Sequence, residues 1–277
     1  MTEPAAPPGS DLLTRFTMGV VMIAVACVAI WLGGWPFRLL AAAAAAAMML
    51  EWGDMHRVRR GWTWLGMALL AAPTLILPEF LFPAADRDPA EISGELLGPV
   101  WIGFAGTAAL ALLYTLLSRR LTLGWGFLYI ALPTFALLVL SWAWFELVFW
   151  LMLVTWATDI FAYFAGRSIG GPKLAPKISP NKTWAGLIGG MAGAAVVGAL
   201  AAWLFGIAAE LPDFYWLGAL MALLAQLGDL YESRVKRRLG VKDSSALLPG
   251  HGGVLDRLDG LLPVALATLL VLIASLA

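Results

Sequence analysis

The sequence predicts an all-α, polytopic integral membrane protein, a helical bundle of about nine transmembrane helices. Three observations lead there. Of 277 residues, 61% are hydrophobic and only 13% charged, about half the charged share of an ordinary soluble domain, and the mean hydropathy is +0.84. Apolar runs close to the length of about 20 residues that a hydrocarbon core demands recur along the whole chain. Lysine and arginine gather in alternate loops: of the 18, only Arg38 and Arg87 fall on the side opposite the others. By the positive-inside rule this puts the N-terminus in the cytoplasm, requires an odd number of spans, and leaves the C-terminus outside.

In chain order, residues 1–14 open with MTEPAAPPGS and are expected to form a flexible tail. Spans at about 15–34, 36–51, 62–80, 98–117 and 122–140 make up an N-terminal membrane region, 15–140; the second, LLAAAAAAAMML, has little side-chain bulk. Spans at about 143–165, 184–207, 214–231 and 259–277 belong to a C-terminal catalytic region, 141–277, with two long cytoplasmic loops, 166–183 and 232–258. The loops on the opposite side are acidic, as in PEFLFPAADRDPAEISGE and AAELPDF. Gly186 with Gly190, and Gly189 with Gly193, let another helix approach the seventh span closely, either within the chain or across a dimer. The single cysteine, Cys27, excludes an intramolecular disulfide.

Function is expected in the two cytoplasmic loops and the helix ends beside them. Ionisable groups at membrane depth are costly and face protein or water. Asp159 lies about two turns before the inner end of the sixth span, Asp229 ends the eighth, and Asp256 and Asp259 begin the ninth, while Glu146 reads as interfacial. Residues three apart share a helix face, so Asp229 with Glu232, and Asp256 with Asp259, can each present oxygens to one place. That suits a hard divalent ion such as magnesium; for any single carboxylate, ordinary pairing with Arg234, Lys236 or Arg257 is the alternative. In GHGGVLDRLD, Gly250, Gly252 and Gly253 give the backbone freedom, and successive N–H groups entering a helix make an anion site. His251 has no second histidine or cysteine near it, which argues against zinc. It is left as a proton donor, a phosphate donor or a turn residue. Arg167, Lys173, Lys177 and Lys182, with Ser179, Asn181 and Thr183, bring phosphate-binding groups to the start of the seventh span; anionic headgroups are their other natural partners. GRSIGGPK fails the phosphate-loop pattern, since Pro172 stands where the lysine belongs. The residues by themselves point to a metal-dependent enzyme acting on a lipid phosphate. A cation-coupled transporter, the reading from another class, would hold its ions nearer mid-membrane.

The stretch SRVKRRLGVKDSSALLPGHGGVLDRLD, Ser233 to Asp259, resembles the signature of the phosphatidate cytidylyltransferase family. TDIFAYFAGRSIGGPKLAPKISPNKTWAG resembles that family's second motif, and QLGDLYES the lead-in to the signature. The likeness spans about 159–260 and departs at Ala185 and Gly260, where the family often has glutamate and serine. It implies transfer of cytidylate from CTP to phosphatidic acid with magnesium as cofactor, as one ion or two. It further implies Asp229 and Asp256 as principal metal ligands with Asp259 and Asp159 in support, and Lys182 and Lys236 as catalytic side chains beside them. To the substrate site it assigns Ser179, Ser233, Arg237, Lys242, Asp243, His251 and Arg257, around the turn at Gly252 and Gly253. The same likeness implies a homodimer among membrane lipids, with no nucleic-acid partner. A bacterial source would put it in the inner membrane, with the active site on the cytoplasmic side. A related CTP-dependent lipid-phosphate cytidylyltransferase or a polyprenol kinase would need the same charges.

Overall fold

The structure, a computed structural model, describes residues 8–82, 96–207 and 211–276. Its elements are α1 (Pro8–Leu32), α2 (Gly34–Met55), α3 (Arg60–Ala71), a π-helical turn (Ala72–Ile76), α4 (Leu77–Leu81), α5 (Leu97–Ser118), α6 (Leu121–Ala143), α7 (Phe145–Ser168), β1 (Lys173–Ala175), β2 (Ser179–Thr183), α8 (Trp184–Leu204), α9 (Leu211–Arg238), α10 (Leu255–Leu258) and α11 (Leu261–Leu276). The protein is thus nearly all-α. Six helical stretches are long and apolar enough to cross a membrane: 60–81, 97–118, 121–143, 145–168, 184–204 and 213–238. These make it a multi-pass membrane protein. Two shorter apolar helical stretches, Phe16–Leu32 and Leu261–Ser275, accompany them, as does the alanine-rich α2. Helix α1 starts at Pro8, inside the stretch expected to be a tail, because proline is readily taken into a first helical turn. Residues 1–7 of that stretch, Arg87 with most of its acidic loop, and the first residues of AAELPDF lie outside the described residues.

Helix α6 is the centre of the bundle. Phe127, Ile130, Phe135 and Val139 on it are fully buried, and it packs on α2, α5 and α11. The glycine spacing in α8 serves a seam within the chain: side chains at Gly189 and Gly193 would collide with Ala165 and Phe161 of α7, and one at Gly190 would press on the Thr158 carbonyl. The closeness of these two backbones draws the start of α8 against the C-terminal half of α7. At the opposite end of the bundle Arg38, buried at the start of α2, pairs with Glu79 of α4 and donates to the Phe82 carbonyl at 3.4 Å.

Two segments differ from the loops that the sequence suggests. Helix α9 continues to Arg238, so Ser233, Lys236 and Arg237 project from a helix. No helix breaker interrupts DLYESRVKRR, its terminal cations complement the negative end of the helix dipole, and Gly240, at φ 74°, follows the helix end. Between α7 and α8 the chain turns through Gly170 and Gly171 into an antiparallel hairpin, with Lys173 opposite Thr183 and Ala175 opposite Ser179. This hairpin is the sole regular strand pairing among the described residues. Thr183 ends it and caps α8, its hydroxyl accepting from the Gly186 amide at 3.0 Å.

Candidate active site

The seam between α7 and α8, closed on a third side by α9, encloses a polar cavity of about 500 Å³. Asp159, Tyr163 and Arg167 enter it from α7, Asn181, Lys182 and Thr183 from β2, and Gln226 and Asp229 from α9. Lys182 Nζ lies 2.5 Å from Asp229 Oδ2, and Ser233 Oγ, one turn along α9, donates to Asp229 Oδ1 at 3.1 Å. Arg167, an exposed residue of the cavity lining, donates to the Tyr163 hydroxyl at 2.7 Å. Gly228 lets α9 meet the start of α11, since a side chain there would strike the Asp259 carbonyl and Pro263. The carboxylates of Asp159, Asp229 and Asp259 are in consequence near enough to repel one another, and Lys182 and Arg257 act on Asp159 with the opposite sign.

One turn further along α9 lies a second cluster. Lys236 Nζ bridges Glu232 Oε2 at 2.5 Å and Asp256 Oδ1 at 2.6 Å. Asp256 Oδ2 accepts from the Ser244 amide at 2.9 Å, the Ser244 hydroxyl at 3.0 Å and the Gly253 amide at 2.8 Å. Burial alone would raise the Asp256 carboxyl, but the hydrogen bonds from Lys236 and from the Gly253 amide outweigh it and hold the group below the usual carboxylate range. A depressed carboxylate stabilises the fold above its unfolded pKa of about 4 and loses that contribution as pH falls through its folded value. Asp256→Asn is therefore expected to lower the thermal unfolding temperature at neutral pH, with the gap to the wild type closing below about pH 4. A gap independent of pH in detergent melting curves would contradict this account.

A residue that the sequence reading did not single out holds this cluster in place. Glu51, near the C-terminal end of α2 and 1% exposed, accepts from the Ser245 hydroxyl at 2.7 Å, the Ser244 hydroxyl at 3.0 Å, and the amides of Val254 and Leu255 at 2.8 Å each. It caps the N-terminus of α10 and ties the turn after α9 to it. Gly253 is obligatory beside it, because any side chain would collide with Ser244 and Glu51. The rule applied to Asp159, that an acid in an apolar helix has a purpose, could have found Glu51. An expected span end at residue 51 made it look like a boundary residue.

The remaining expected site residues are spread around these two clusters. Lys173 and Lys177 are exposed on the hairpin and its turn, and Lys242 and Asp243 are exposed beyond α9. Ser179 starts β2, and Arg237 reaches the hairpin through the Ile178 carbonyl at 3.5 Å. His251 Nδ1 lies 3.4 Å from the Pro249 carbonyl, with its ring beside Gly19 of α1. Gly252 has φ 80°. Arg257 Nε donates to the His251 carbonyl at 2.9 Å. Among the described residues Asp229 and Asp256 share no partner: Lys182 and Ser233 hold the first, and Lys236, Ser244 and Gly253 the second.

The donor set fits a hard divalent cation in kind. Its oxygens come from Asp159 of α7 and Asp229 of α9, which line the polar cavity, and from Asp259 in the turn before α11, and their like charges call for a counter-ion that Lys182 supplies only in part. Among the described residues, no three acidic, histidine or cysteine side chains already close around a common point.

The profile described as the cytidylyltransferase family matches residues 13–275. A phosphatidate cytidylyltransferase of Brucella abortus (strain 2308) is 40% identical over 283 residues, 96% of this chain and 94% of the relative. Proteins of the same name from Bacillus subtilis (strain 168) and Haemophilus influenzae (strain ATCC 51907 / DSM 11121 / KW20 / Rd) are each 45% identical over 42% of this chain, covering 43% and 41% of their own lengths.

Proposed function

The chain belongs to the cytidylyltransferase family, and from that membership we propose that it is a phosphatidate cytidylyltransferase, converting CTP and phosphatidic acid into CDP-diacylglycerol and pyrophosphate. The observation that carries this reading is the polar cavity in which the Lys182–Asp229 pair faces Asp159 and Arg167, at the ends of helices that cross a membrane. A phosphate oxygen of phosphatidate attacks the α phosphorus of CTP in line; the bond to the β-phosphate oxygen breaks, and its electron pair leaves with pyrophosphate. A phosphate monoester is already an anion near neutral pH, so no protein base is needed. The work of the site is positioning and charge neutralisation.

Lys182, Arg167 and the capped N-terminus of α8 neutralise phosphate oxygens. Asn181 donates beside them. Lys236 and the Ser244 and Gly253 amides fix Asp256, and with it the turn that carries His251 and Arg257. Magnesium, when bound, neutralises the reacting phosphate oxygens. Asp229 and Asp159, with Asp259 beside them, are the residues that would hold it, while Asp256, expected from the resemblance as a principal ligand, has both oxygens engaged by Lys236, Ser244 and Gly253. The reading extends to nine spans with the N-terminus inside, a cytoplasmic active site and a homodimer. The charge bias among the loops supports that orientation, and α1, α2 and α11 supply the three helices beyond the six.

Purified protein given labelled CTP, phosphatidate and magnesium is expected to make labelled lipid and pyrophosphate in equal amounts, and to stop when the metal is chelated. Label entering lipid from ATP as readily as from CTP, or from CTP without pyrophosphate release, would defeat the proposal.

A further inference from the structure

The alanine run of α2, Ala41 to Ala47, has no part in the polar site. Its small side chains leave a second cavity of about 450 Å³ between α1, α2, α6 and α7, closed at one end by the segment from Leu248 to Leu262. Met22 and Ala26 of α1, Ala44 and Ala47 of α2, and Met152 of α7 line it. Among the described residues Thr134 and Arg257 are its only polar lining, and the Thr134 hydroxyl is already committed to the Ile130 carbonyl at 2.7 Å. What remains is an apolar slot with one guanidinium at its end. The slot follows α2 from Phe37 to Met48, about 17 Å at 1.5 Å per residue, a little over half the thickness of a hydrocarbon core of about 30 Å.

Arg257 is the charged group of the slot. Its Nε donates to the His251 carbonyl at 2.9 Å, and its neighbour in sequence, Asp256, is clamped by Lys236 of α9, the helix that carries Asp229 into the polar cavity. We propose that the apolar slot is the acyl-chain site for the lipid phosphate, with one tail between α1, α2 and α7 and the phosphate turned past Arg257 toward Lys182 and Asp229. The proposal rests on the transferase reading above and adds where the lipid lies. A lipid tail is as apolar as the slot, so moving it there from the bilayer provides little driving force. The slot's contribution is orientation: it sets the depth and direction of the attacking phosphate. Charge complementarity favours a lipid phosphate over a neutral lipid as the occupant, because an uncharged headgroup would leave Arg257 facing the slot without an anion.

The test compares wild type with Ala44→Leu and Ala44→Trp, in mixed micelles, on dioleoyl and dioctanoyl phosphatidate. The ratio of kcat/KM for the long lipid over the short one is expected to fall in steps with side-chain size, by at least fivefold for tryptophan, while KM for CTP stays put. A ratio unchanged in both variants, whatever the absolute loss, overturns the proposal. So does a variant that changes oligomeric state with no change in the ratio, since the slot would then seat a second copy. Should tryptophan prevent folding, Ala47→Leu and Ala26→Leu read the same ratio. Stabilisation against heat by dioleoyl phosphatidate, strong in wild type and lost in the filled variants, reports on the slot without turnover. Wild-type protein that shows this stabilisation but transfers no label from CTP would sink the transferase reading and leave the lipid site standing.

Discussion

Asp229→Asn is expected to lower kcat for cytidylyl transfer at least a hundredfold, about 3 kcal/mol of transition-state stabilisation. The substitution preserves shape and removes one charge. That charge now balances Lys182 at 2.5 Å and anchors the Ser233 hydroxyl, and it belongs to the trio of acids proposed to hold magnesium. Without it, Lys182 loses the partner that aims it into the cavity. The pair can be separated from the metal by a double-mutant cycle: if Lys182 and Asp229 act as a unit, Lys182→Met with Asp229→Asn costs clearly less than the two single losses added together. Turnover is read as labelled CTP entering lipid, on protein that remains monodisperse in detergent. Near-normal turnover in Asp229→Asn would remove this residue from the chemistry.

What the sequence made legible follows from the range of the forces involved. Spans are a local property of composition, so nearly every apolar run has a helix in the structure, but Asp229, expected at the end of the eighth span, lies within α9, which runs on to Arg238. Local reading also brought Thr183 to the start of the seventh span, but as a phosphate-binding hydroxyl; in the structure that hydroxyl caps α8. It went astray where a charged helix continues past the apolar boundary: Ser233, Lys236 and Arg237 share α9 with Asp229, and no hydropathy window separates a solvated helix from a loop. The hairpin at Lys173–Thr183 was equally out of reach, since two strands this short depend on the helices they connect. The grouping of Asp159 with Asp229 and Asp259 rests on small residues at helix crossings, Gly190 and Gly228. The spacing of Gly190 with Gly186 suggested close packing, but not which helix would be the partner, and Gly228 stands in no such pattern.

The contact farthest from any local rule is that of Glu51, which meets Ser244, Ser245, Val254 and Leu255 across about 200 residues of chain. Glu51→Ala is expected to cost about 3 kcal/mol of stability, since it strands the buried Leu255 amide, the part-buried Val254 amide and the Ser245 hydroxyl, and leaves the Ser244 hydroxyl to Asp256 alone. Turnover should fall roughly a hundredfold, because the turn bearing Asp256, His251 and Arg257 loses its support from the N-terminal helices. Glu51→Gln keeps one acceptor oxygen and turns an NH₂ group toward donors, so it should recover part of the stability and little of the activity. Glu51→Asp, a methylene shorter, keeps the charge and should recover more of both. Hydrogen exchange distinguishes a positioning role from general fragility: the amides of Ser244, Val254 and Leu255 should lose protection in Glu51→Gln, while the α7–α8 seam keeps its own. Exchange that rises uniformly over the bundle, or activity that simply follows the folded fraction, would make Glu51 a packing residue and leave the turn supported by Lys236 and Asp256 alone.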